Sequence, residues 1–149
     1  MTPTPASAGW PRQGGCLCGA IRYTISSTPS ASVVCHCTHC QKQSGSLFAF
    51  NLVLGDAQYE QHGTTKVYTD HGDSGQPVYR HFCADCGTPV TSRLAARPGM
   101  VIVKAGTLDD RSGLSPRMEV YCRSSEPWLP ALPVQARFDT MPPTQQVTA

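Results

Sequence analysis

A chain of 149 residues is long enough for one domain with a real core and short for two, so a single domain is expected. Only 15% of the residues are charged and the net charge is +2, spread without runs, which argues against the clustered basic face that nucleic acid or an anionic membrane surface selects. The longest mostly apolar run, residues 47–54, is interrupted by Asn51 and falls far short of the roughly 20 residues that cross a bilayer.

In chain order, residues 1–13 hold three prolines and little apolar content beyond Trp10, and are expected as a flexible N-terminal tail. The domain is expected over 14–138 and a second flexible tail over 139–149. In Gly14-Gly15-Cys16-Leu17-Cys18-Gly19, the two cysteines lie two apart, facing one way on a regular strand, and the glycines let the backbone curl around a metal. Ile21, Tyr23 and Ile25 then alternate with Arg22 and Thr24, the pattern of a half-buried strand. Val33-Val34 leads as a short strand into Cys35.

Residues 41–46 are polar and read as a helical turn ending at Gly45. Residues 47–54 read as a buried strand, and 65–69 and 78–82 as two more, with 70–77 a loop between them. Cys83-Ala84-Asp85-Cys86-Gly87 has the form of a zinc knuckle, in which the glycine tolerates a positive backbone angle. Strands follow at 101–103 and 118–122, a single helical turn is expected near 106–110, and Pro127-Trp128-Leu129-Pro130 reads as an aromatic plug. No long stretch has helical periodicity, so the fold class is mainly β, with short antiparallel strands and few helical turns.

Eight cysteines in a secreted chain of this size would suggest a disulfide scaffold. Residues 1–13 lack the apolar segment of a secretory signal, so a cytoplasmic, reduced protein is expected, its thiols used for metal. Seven of them form three clusters: Cys16/Cys18, Cys35/Cys37/Cys40 and Cys83/Cys86. Joining Cys16, Cys18, Cys83 and Cys86 gives four thiolates, the closed tetrahedral set of a structural zinc. Cys35, Cys37 and Cys40 remain as a triad. Either its fourth position is open, as in catalytic zinc sites, or it is closed by His36, His39, His81 or Cys122. Cys122 has an ordinary alternative role as a small buried residue of the last strand.

Five motifs occur in one order: Gly-Gly-Cys-Leu-Cys-Gly-Ala-Ile-Arg-Tyr at 14–23; Cys-His-Cys-Thr-His-Cys at 35–40 with Ser-Gly-Ser at 44–46; Phe-Cys-Ala-Asp-Cys-Gly at 82–87; Ala-Gly-Thr-Leu-Asp-Asp at 105–110; and Pro-Trp at 127–128. With them the chain resembles the glutathione-dependent formaldehyde-activating enzyme family, also called the centromere protein V family. The resemblance implies a β-tent fold of short antiparallel sheets clipped by zinc, and two zinc ions per chain. It implies a structural zinc on Cys16, Cys18, Cys83 and Cys86 and a catalytic zinc on Cys35, Cys37 and Cys40. The implied activity is that of a carbon–sulfur lyase, reversibly combining glutathione with formaldehyde to give S-hydroxymethylglutathione. Gln41 stands where members often carry Arg, and Cys122 where they usually have an apolar strand residue.

The thiol of glutathione is a soft donor suited to a zinc already held by three cysteines. For local proton handling the candidates are His36, His39 and Ser44. Lys42 and Arg80 are read as solvated surface residues, the other use for them being to hold the carboxylates of glutathione. The competing reading of the whole chain is a zinc-stabilised protein-binding module in which both metals are structural and nothing is catalysed.

Overall fold

The computed structural model describes residues 9–143. The described chain falls into two compact units. The first comprises Leu52–Leu114 with the described part of Met1–Ala31, and the second Ser32–Asn51 with the described part of Ser115–Ala149. The strands in chain order are β1 (Arg12–Gly15), β2 (Arg22–Ile25), β3 (Ala31–Cys35), β4 (Ala49–Gly55), β5 (Tyr59–His62) and β6 (Lys66–His71). They continue as β7 (Pro77–Phe82), β8 (Pro89–Leu94), β9 (Met100–Lys104), β10 (Met118–Val120) and β11 (Ala136–Arg137). Among the described residues the one α-helix is α1 (Thr38–Ser44), so the fold is mainly β.

In the first unit, β1, β2 and β5 make an antiparallel sheet with β2 in the middle. Ile21, Tyr23 and Ile25 turn inward, each at most 2% exposed, as their alternation with Arg22 and Thr24 requires. A second antiparallel run takes β9, β8, β7 and β6 in that order, with β4 beside β9. Val101 and Val103 on β9 are fully buried with Leu52, Leu54 and Val90. Burying a side chain of this kind contributes about 1.5–3 kcal/mol.

β1 begins two residues inside the stretch expected as tail, because Arg12 is itself held. Its guanidinium donates to the carbonyls of Asp110 at 3.0 Å and Ser112 at 2.8 Å, and the side chain is buried. Residues 1–8 of that expected tail lie outside the described residues. At the other end, the expected tail residues Asp139 and Thr140 accept hydrogen bonds from the N–H groups of Arg123 and Tyr121.

The second unit orders its strands β11, β10, β3, β4. Here the expectation of antiparallel pairing fails. β10 lies parallel to β3, with Glu119 opposite Val34 and Val120 opposite Cys35, and parallel to β11, with Glu119 opposite Arg137. Parallel partners need a crossover of a dozen or more residues, and long intervening segments supply one in both cases.

Local differences have local causes. The 70–77 loop contracts because β6 continues to His71 and β7 starts at Pro77, the first strand position being one where proline's missing N–H is tolerated. The strand expected over 118–122 is β10, which stops at Val120 because Tyr121 adopts φ 56°, a left-handed conformation that breaks the extended run. Cys122 consequently opens a 3-10 turn, Cys122–Ser124, instead of closing a strand. Trp128 is 71% exposed, so 127–130 is no plug. No helix among the described residues is long and apolar enough to cross a membrane.

Candidate metal centres

The turn between β1 and β2 and the loop between β7 and β8 carry the four cysteines of the first cluster. In the former, the Cys16 N–H donates to the Ile21 carbonyl at 3.0 Å, and the Ile21 N–H returns to the Cys16 sulfur at 3.2 Å. In the latter, the Gly87 N–H donates to the Cys83 carbonyl at 2.9 Å, with Gly87 at φ 78°, a conformation glycine adopts without steric cost. Thr88 ties the two turns together. Its hydroxyl accepts the Leu17 N–H at 3.1 Å and lies 3.2 Å from the Cys86 sulfur.

The four sulfurs lie within 4.8 Å of one another, Cys16 to Cys18 at 3.6 Å and Cys18 to Cys83 at 3.7 Å. Sulfurs set tetrahedrally about 2.3 Å from a zinc are separated by about 3.8 Å, so these spacings fit a shared metal. They are far beyond the roughly 2.05 Å of a disulfide. The hydroxyl and backbone N–H of Thr88 pull the Cys86 thiol down to about 5, so one sulfur of the set is prepared as thiolate.

The second cluster belongs to the second unit. Cys35 ends β3, Cys37 is the N-cap of α1, and Cys40 lies in its first turn. The Cys37 sulfur accepts the Cys40 N–H at 3.2 Å, taking the place a serine hydroxyl usually fills at a cap. The helix ends where the polar run suggested, at Gly45 with φ 70°, whose N–H donates to the Gln41 carbonyl at 2.9 Å. Cys35 and Cys40 sit in an apolar cluster with Ala49 and Val120, flanked by Val33, Met118, Tyr121 and Phe138. Hydrogen bonding to Cys37 and Cys40, together with burial, pushes the Cys35 thiol strongly upward, since adjacent buried thiols resist joint ionisation. A dication among them reverses that preference, so this donor set fits a thiophilic metal as well.

Cys35, Cys37 and Cys40 are a group of three, their sulfurs mutually within 4.8 Å. Cys122 is drawn into a different group. Its sulfur lies within 4.8 Å of ligand atoms of His36 and Glu119. His36, flanked by two cysteines, is buried, and its Nε2 lies 3.0 Å from Glu119 Oε1. His81 belongs to β7, where its Nδ1 lies 2.9 Å from the Thr65 hydroxyl.

His39 is exposed in the first turn of α1. The Ser44 hydroxyl lies 3.4 Å from the Gln41 carbonyl and accepts the Ser46 N–H at 3.2 Å. The Gln41 amide donates to the carbonyls of Leu47 at 3.2 Å and Ser124 at 3.1 Å, tethering α1 to the segments on either side. Lys42 is exposed as expected. Arg80 is not: it is buried and pairs with Asp70 at 2.9 Å. Sequence reasoning missed Glu119 and Thr88. For Glu119 the one signal was a carboxylate inside a short, otherwise apolar strand.

The sequence profile of the glutathione-dependent formaldehyde-activating enzyme family matches residues 11–124. A crystal structure of a Rhodobacter sphaeroides protein, a Northeast Structural Genomics target, matches with a TM-score of 0.53 at 19% identity, over 70% of this chain and 92% of that one. At that identity the likeness is one of fold.

Proposed function

Because the chain belongs to the glutathione-dependent formaldehyde-activating enzyme family, we propose that it is a zinc-dependent carbon–sulfur lyase that reversibly combines glutathione, or a similar thiol, with formaldehyde or another small aldehyde. One observation carries the reading: the triad is a set of three thiols, and Cys122, the strongest rival for a fourth place, is gathered with His36 and Glu119 instead. Four converging thiols close a site, as a structural zinc requires, whereas three leave room for substrate. In this reading Cys16, Cys18, Cys83 and Cys86 hold the structural ion and Cys35, Cys37 and Cys40 the catalytic one.

When bound, a zinc held by three thiolates supplies a position that keeps a soft thiol deprotonated near neutral pH. Forming the carbon–sulfur bond places negative charge on the aldehyde oxygen, which needs a proton. His39, beside Cys40 and open to solvent, is assigned to deliver it. Ser44 stands one helical turn beyond Cys40 on the same face and is assigned to orient the oxygen. His36 is engaged elsewhere, its ring held against Glu119.

The test is zinc content and turnover on the purified chain. Two zinc ions per chain are expected, the weaker one perturbed by glutathione. Formation of S-hydroxymethylglutathione, followed by NMR exchange spectroscopy, should be accelerated by the wild type and not by Cys37→Ser. A doubly loaded protein that accelerates nothing would overturn the assignment.

A further inference from the structure

Glu119 and His36 form a buried polar pair that the lyase reading does not use. His36 and Glu119 are each 3% exposed, in the middle of the second unit. The two oxygens of Glu119 face opposite ways along the strand order: Oε1 meets His36 Nε2 at 3.0 Å, and Oε2 meets the Arg137 guanidinium at 2.8 Å, close but not aligned as a hydrogen bond. The parallel register sets this up, with Glu119 directly opposite Arg137 on β11 and beside Val34, two residues before His36. A buried carboxylate is costly unless paired, and removing one partner of such an arrangement is strongly destabilising.

From this chain of contacts we infer that Glu119 positions the three-thiol seat, acting through His36, and that His36 is a strut and not a proton donor. This rests on the triad being a metal seat. His36 stands between Cys35, the last residue of β3, and Cys37, whose backbone is also extended, and along extended chain successive side chains point to opposite sides. Drawing the imidazole toward Glu119 therefore sends the sulfurs of Cys35 and Cys37 the other way, together. The His36 N–H donates to the Val120 carbonyl at 3.1 Å, and its ring lies 5.7 Å from that of Phe48, so backbone and ring are both fixed. Arg137, half exposed, completes the chain from the solvent side.

The same His36, Glu119 and Cys122 atoms converge closely enough to suggest a third metal site, and the buried His36 Nδ1 has no hydrogen-bond partner. Electrostatics opposes that reading: a dication here would compete with the Arg137 guanidinium for one carboxylate.

The experiment is a Co2+ titration of the full-length apoprotein, read by thiolate-to-cobalt charge-transfer absorption. Wild type should take up two equivalents, the tighter at the four-thiol cluster. Glu119→Gln should leave the first equivalent unchanged and weaken the second about 10–100-fold, the loss typical when a group that orients metal ligands is removed. Arg137→Gln, on a half-exposed side chain, should weaken the second in the same direction by less. Should Glu119→Gln fail to take up even its first equivalent, Arg137→Gln carries the test, and an unchanged second-equivalent affinity there would overturn the inference.

A general loss of stability would weaken both equivalents alike, so selective loss of the second is the signature of positioning. Unchanged second-equivalent affinity in a folded variant would overturn this inference and leave the lyase reading standing. A wild type binding only one equivalent would overturn both. A third equivalent lost in both Glu119→Gln and Cys122→Ser would replace the strut with a metal site.

Discussion

The Cys18 sulfur lies 3.7 Å from that of Cys83, although 65 residues separate them along the chain. A metal shared between them closes a long loop, and its binding free energy becomes folding free energy, comparable for structural zinc with the net stability of a small domain. Chelation strong enough to strip this site should therefore lower the melting temperature by at least about 10 °C, and Cys83→Ser should do the same without chelator. Thermal denaturation followed by circular dichroism, with and without a strong chelator, checks both. An unchanged melting curve in a demonstrably metal-free sample would exclude a stabilising metal there.

Cys37 has two roles that substitution can separate. Its sulfur is a candidate metal ligand and also caps α1 through the Cys40 N–H. Serine is a good N-cap, so Cys37→Ser should lose the second metal while keeping the helix. Cys37→Ala should lose the metal and, in addition, about 1 kcal/mol of stability. Urea unfolding of the two metal-free variants reads the difference directly. If serine unfolds the chain as severely as Cys83→Ser does, the triad is a structural site.

How much of this was legible in the sequence depended on whether the deciding force was local. The alternation of Ile21, Tyr23 and Ile25, the stop at Gly45 and the positive angle at Gly87 each follow from the chemistry of a few adjacent residues, and each is found. The joining of Cys16/Cys18 to Cys83/Cys86 was legible because four thiols satisfy one tetrahedron. The parallel placement of β10 against β3 was not, since nothing in Met118-Glu119-Val120 states which strand it meets. Glu119 was missed for the same reason: its importance comes from partners on β3's end and on β11, far away in sequence. The ending of β10 turned on one residue, Tyr121, whose φ of 56° no local pattern in the sequence announces.

Tyr23 should give the chain an alkaline limit. Its hydroxyl lies 2.8 Å from that of Thr107, and burial pushes its ionisation up to about 12 from an ordinary 10. A phenol whose ionisation is raised in the folded state contributes stability that is complete below pH 10 and is lost as pH rises from there through about 12. Tyr23→Phe should cost about 1 kcal/mol at neutral pH through the lost hydrogen bond. It should also flatten the alkaline part of the stability profile. Urea midpoints measured from pH 8 to 11 test both, and an equally steep alkaline decline in the variant would assign it to another group.

Two of the arginine–aspartate pairs of the first unit differ enough in burial to predict unequal consequences of disruption. Arg22 and Asp109 pair at the surface, their side chains 42% and 54% exposed. The Arg22 hydrogen bond and charge hold the Asp109 carboxyl below its usual range. Its stabilising share is therefore present above the ordinary carboxylate range and is lost as pH falls through the depressed value. Screened by solvent, that share is only about 0.2–1 kcal/mol, so Asp109→Asn should barely shift the urea midpoint. Arg80 and Asp70 pair at 2.9 Å with side chains 7% and 14% exposed, on the adjacent strands β7 and β6. Removing Arg80 alone leaves a carboxylate with little access to water, and Arg80→Ala should cost about 3–5 kcal/mol. Replacing both residues by apolar ones should recover much of that loss, because the penalty is a buried carboxylate deprived of its counter-charge and not the absent bridge. A double-mutant cycle in urea measures the coupling, and single variants at both pairs with equal, small effects would show that burial does not separate them.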